Sequence, residues 1–169
     1  MKPADRAFFP SPSRHPRYVP ELPVAELGFA EQFLVWAMRV QWSHIGDGQQ
    51  NSLVVQRAFD KLDMPEGASL IAELTEALIG ASTRPLSVPC PKWRVLTGDE
   101  ARLLNFLAAL QTRDGAPLAF FAPEWRLPSH AAIWPPAQRL ALACTAAGLH
   151  LGSMRADAPT LRLAMPQLH

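Results

Sequence analysis

Apolar residues are densest between Val24 and Ile45, where Phe33-Leu34-Val35-Trp36-Ala37-Met38 leaves no polar face on a helix. A helix that is apolar all round has to be covered by neighbours on most sides, so this segment is predicted to be the central helix of a helical domain. It is expected to begin near Pro23, a residue tolerated in a first turn, with Glu26 at the positive end of the helix dipole. Glu31, Gln32 and Arg39 are left with at most a narrow wet edge, and Gly46-Asp47-Gly48 is the expected stop.

Further helices follow from apolar residues three and four apart. Val55, Ala58, Phe59 and Leu62 predict a helix over residues 50–62. Leu70, Ile71, Leu74, Ala77 and Leu78 predict another over 66–81, with Glu73 and Glu76 outside. Residues 82–96 carry Pro85, Pro89 and Pro91 and form a connector that cannot be a regular helix. Thr97-Gly98-Asp99-Glu100 then fits a capping box, which starts a helix at Gly98 that runs to about Thr112. Leu103, Leu104, Leu107 and Leu110 are its expected core contribution.

Arg113-Asp114-Gly115 closes that helix, and the apolar stretch from Ala116 to Ala122 predicts one or two helical turns. A short turn over residues 129–134 is expected before a final helix that starts at Pro135 and Pro136, with Leu140, Ala141, Cys144 and Ala147 facing inward. Gly148 followed by Leu149 has the pattern of a Schellman stop.

The chain ends read differently. Residues 1–23 hold prolines at positions 3, 10, 12, 16, 20 and 23, and proline biases its neighbours toward extended backbone. This is an extended arm, either a strap over its own domain or a reach onto a partner. Thr160-Leu161-Arg162-Leu163-Ala164-Met165 alternates with period two and predicts an extended tail. The expected fold is all-α: an irregular bundle of five or six helices in a domain spanning 24–150, with an arm over 1–23 and a tail over 151–169.

Composition narrows the function classes. At 169 residues the chain is long enough for one sizeable core without metal or disulfide support. Charged residues make up 18%, against about 25% in an average soluble domain, which favours self-association. Net charge is +1, and the helix after the Asp63–Gly67 turn is acidic, so nothing points to nucleic acid. No apolar run approaches the roughly 18 residues of a membrane span, and the start of the chain lacks the apolar core of a signal peptide. Two cysteines make no disulfide framework, so reduced thiols in a cytoplasm are expected.

Candidate chemistry is sparse. His44, Asp47, Cys90, His130, Cys144 and His150 could ligate a metal, but only His44 and Asp47 share a helical spacing, beside two glycines. No metal or other cofactor is expected. Cys90, between Pro89 and Pro91 and near Lys92 and Arg94, is the better placed thiol for nucleophilic chemistry, whereas Cys144 reads as packing. There is no G-x-S-x-G elbow and no phosphate-binding glycine loop. The absence of a catalytic motif leans away from an enzyme.

Outside the helices, Trp93, Arg94, Trp125, Arg126 and His130 cluster in or beside two proline-bearing loops. Tryptophan and arginine are enriched at the energetic centres of interfaces, and a pocket between residues 82–96 and 123–135 is the default ligand site. The function expected is a protein-interaction or regulatory module that self-associates as a homo-oligomer. The alternative is a small-molecule or metal-dependent enzyme or sensor using those five residues.

Overall fold

The computed structural model describes residues 16–45, 50–112, 117–120 and 130–152, with backbone alone at 50–52, 118–119 and 130. Five helices make up the described fold: α1 (Phe29–Ser43), α2 (Gln50–Asp60), α3 (Gly67–Ala81), α4 (Gly98–Thr112) and α5 (His130–Ala146). The fold is all-α, as the periodicity predicts. Residues 1–15 of the arm, the glycines expected to end α1, the 113–115 stop and the tail beyond 152 lie outside the described residues.

The apolar run of α1 is walled in. Leu34, Val35, Ala37 and Met38 are all buried, while Phe33 and Trp36 are half-buried against the same core. Phe33 meets the fully buried Phe59 of α2 edge to face at 4.9 Å, an arrangement favoured by the aromatic quadrupole. The helix α3 buries Leu70, Ile71, Leu74 and Leu78 and packs against α1, α2 and α5, so it joins the two halves of the bundle. Each such side chain contributes about 1.5–3 kcal/mol on burial.

Both sequence signals for helix ends on α4 and α5 are realised. Thr97 and Glu100 exchange the capping-box bonds, Glu100 N–H to Thr97 Oγ1 at 3.2 Å and Thr97 N–H to Glu100 Oε2 at 2.9 Å. At the far end of α5, Gly148 takes a φ of 75°, Leu149 N–H donates to Cys144 O and Gly148 N–H donates to Thr145 O. Those two bonds define a Schellman motif.

Three expectations need correction. The first is the start of α1: a 3-10 turn occupies Val24–Glu26, and the helix proper begins at Phe29 behind Gly28. Val24 N–H donates to Arg94 O and Pro23 bridges Val95 in antiparallel fashion, so the chain is drawn into an extended pair before it can wind. Glu31, not Glu26, therefore occupies the first turn of α1.

The second concerns polarity. Glu31 and Arg39 are 2% and 1% exposed instead of forming a wet edge. The third is α5, which starts at His130 and carries Pro135 and Pro136 inside it instead of at its head. Its early turn is held from outside: Ile133 is fully buried and Trp134 packs edge to face on Phe106 at 5.7 Å. Tertiary packing there outweighs the hydrogen bonds that two prolines remove.

Candidate functional site

The connector between α3 and α4 organises the polar chemistry of the described fold. Its prolines prevent helix, so its backbone groups must find other partners. Two acidic residues in the first turn of α4, Asp99 and Glu100, anchor this arrangement, directly and through the arginines they hold. Asp99 receives both Nη atoms of Arg84 at 2.9 and 2.7 Å and the Ser87 N–H at 2.8 Å. Burial works to raise the Asp99 carboxyl, but Arg84 and the Ser87 N–H together hold it below the ordinary carboxylate value. Thr97 adds a further tie by donating its hydroxyl to Ser87 O at 2.7 Å.

Glu100 anchors the other half of the connector through Arg39. Arg39 Nε and Nη2 reach the two oxygens of Glu100 at 2.6 and 2.8 Å, and the pair is 1% exposed on both sides. The remaining reach of the guanidinium goes to backbone, with Nη1 donating to Trp93 O at 2.6 Å and Nη2 to Val95 O at 2.9 Å. Planar, forked donors suit this task, since one arginine can fix a carboxylate and two carbonyls together.

The arm closes the opposite edge. Glu21 N–H donates to Leu96 O, Leu96 N–H to Leu22 O and Val24 N–H to Arg94 O, at 2.9, 2.9 and 2.8 Å. Residues 93–96 are thus held from beneath by Arg39 and from the side by residues 21–24. Trp93 nonetheless stays 53% exposed, and Arg94 is exposed beside it.

A second polar node fastens the arm and the end of α5 to the bundle. Asn105 of α4 accepts the N–H groups of Arg17 and Tyr18 and donates to Tyr18 O. Glu31 Oε1 accepts the Tyr18 hydroxyl at 2.7 Å and the Gly152 N–H at 2.6 Å. Burial, with the Glu31 hydrogen bond and charge, pushes the Tyr18 phenol well above its ordinary value. Glu31 Oε2 has no hydrogen-bond partner among the described residues, so this node ties Tyr18 and Gly152 to α1 at a desolvation cost.

Two cavities border the connector. Beneath it, between Met38, Trp42, Leu86 and Leu103, lies a gap of about 20 Å³, room for about one water molecule. On its outer side an open cleft of about 320 Å³ is bounded by Trp93, Pro89 and Ser87 of the connector, Thr97 and Gly98 at the start of α4, and Glu21 of the arm.

No protein-family model, curated protein or solved structure matches this chain. The site therefore rests on its own geometry.

Of the five residues marked in the sequence, Trp93 and Arg94 fall in the described connector. Trp125 and Arg126 lie outside the described residues, as does the side chain of His130, whose backbone opens α5. The described cleft pairs the connector with the arm, which sequence reasoning did not anticipate. Glu21, Arg39, Asp99 and Asn105 were missed as well. A charged residue inside an otherwise apolar helix run was the signal for Arg39.

Among the described residues no three His, Cys, Asp or Glu side chains come together as a metal site. Cys144 is buried and its thiol is pushed up to about 12 by that burial, while Cys90 is exposed on the connector. No described helix is long and apolar enough to cross a membrane. What the described arrangement offers is a fixed surface that presents an aromatic ring.

Proposed function

We propose that the chain is a protein-interaction or regulatory module whose contact face is the outer side of the connector, engaging a second copy or another protein. One observation supports this above the others: Trp93 is more than half exposed although its backbone is fixed by Arg39 and by its neighbours' bonds to the arm. Exposed tryptophans are costly in water and rich in binding energy at interfaces. A loop already ordered before binding forfeits little entropy when a partner docks. The low charge content of the chain adds to the case for self-association as a homo-oligomer. A cytoplasmic setting fits two cysteines, Cys90 and Cys144, that are both free thiols.

Photocrosslinking tests the proposal. Benzoylphenylalanine placed at position 93 of the full chain is expected to give covalent adducts in cells, and the same group at the exposed Glu76 of α3 is not. Adducts at twice the chain mass identify self-association, and other masses identify a different protein. Equal labelling from both positions would remove the connector as the contact face.

A further inference from the structure

We infer that the open cleft beside Trp93 is a guanidinium site, which takes an arginine side chain presented by the partner and seats it between the Trp93 ring and the Glu21 carboxylate. This deepens the proposal above and rests on it. Trp93 and Pro89 of the connector line the cleft together with Glu21 of the arm and Thr97 and Gly98 at the start of α4. Lys92 and Arg94 neighbour Trp93 in sequence, yet among the described residues Glu21 is the one charged residue that lines the cleft. The described lining of the cleft thus carries a single negative charge, where the chain as a whole is nearly neutral.

An anion is a poor fit in spite of the helix start at Gly98. The positive end of α4 is already occupied by its own Asp99 and Glu100, and Glu21 lines the same cleft. A purely apolar ligand would leave the Glu21 carboxylate and the Ser87 hydroxyl region desolvated without partners. A cation over an indole face gains electrostatically from the ring quadrupole, and a carboxylate opposite adds a charge-assisted hydrogen bond. Arginine meets both demands with one planar group that stacks and forks.

The placement of Glu21 adds independent weight. Its backbone sits at a φ of 66°, a left-handed conformation that glycine adopts at lower cost, and its N–H is fixed to Leu96 O. The chain thus holds a carboxylate-bearing residue at a backbone position that disfavours any side chain, on the rim of an open cleft.

The full-length protein is titrated with N-acetyl-arginine methylamide, with the lysine and norleucine counterparts alongside, and followed by proton–nitrogen correlation spectra. The Trp93 indole resonance is assigned through Trp93→Phe. The arginine probe is expected to shift the Trp93 indole and the Gly98 amide saturably, about tenfold more tightly than the norleucine probe. Glu21→Gln, a swap of similar shape at an exposed position, is expected to weaken it about tenfold, and Glu76→Gln to leave it unchanged. Equal binding of the norleucine or lysine probe, or unweakened binding by Glu21→Gln, would overturn the assignment. Crosslinks at position 93 with a flat arginine titration would remove the guanidinium site and keep the contact face. A positive titration without crosslinks would keep the site and remove the protein partner.

Discussion

Glu100 grips Arg39 with both carboxylate oxygens while its Oε2 also accepts the N–H of Thr97 in the capping box of α4. One buried side chain therefore starts a helix, neutralises a guanidinium and, through that guanidinium, fixes the carbonyls of Trp93 and Val95. Loss of a cap alone costs about 1 kcal/mol, whereas stranding a buried charge costs about 3–5 kcal/mol.

Glu100→Ala is accordingly expected to destabilise the protein by about 3–5 kcal/mol in urea titrations, several times the effect of Thr97→Ala. Combining it with Arg39→Met should restore much of that loss by removing the stranded charge. The double variant still lacks the donors to Trp93 O and Val95 O, so faster amide exchange at Leu96 is expected even where stability has recovered. A double variant no more stable than Glu100→Ala would mean that the pair's worth lies in its backbone bonds.

The Asp99 carboxyl is depressed in the folded state, so its stabilisation is present above the unfolded carboxylate pKa and is lost as pH falls through the lower folded value. At pH 7 Asp99→Asn should cost on the order of 1 kcal/mol, allowing for solvent screening of Arg84, which is 42% exposed. Below about pH 4 the wild-type advantage should shrink toward zero. Paired melting curves between about pH 3 and about pH 7 check it; a gap that widens in acid would exclude this linkage.

Two glycines of α3 are expected to respond in opposite directions. A Cβ at Gly67 would stand 2.1 Å from the ring of Phe59, a side chain with no exposure. Gly67→Ala should cost about 1–3 kcal/mol through overpacking. At Gly80 a Cβ meets nothing within 4 Å, so Gly80→Ala should stabilise by up to about 1 kcal/mol through helix propensity. Thermal melts of the two single variants distinguish them, and a stabilising Gly67→Ala would mean that the Phe59 contact is not maintained.

Local chemistry alone determined much of this protein. The unbroken apolar run of Phe33–Met38, the Thr97–Glu100 spacing and the Gly148-Leu149 pair each encode their structure within a few residues, because helix burial, capping and termination depend on near neighbours. Residues 82–96 were legible as non-helical from their prolines, and Trp93 as a candidate contact. What surrounds Trp93 was not. The fates of Arg39 and Glu31 were decided by partners 61 and 121 residues away, Glu100 and Gly152. A charged side chain belongs in water unless the fold delivers a matching group, and no helical period records whether it will. The same holds for the prolines of α5, which sit inside a helix because Ile133 and Trp134 find a core to enter. The cleft exists only because the arm lies against residues 94–96, a contact made by backbone bonds that carry no side-chain signature.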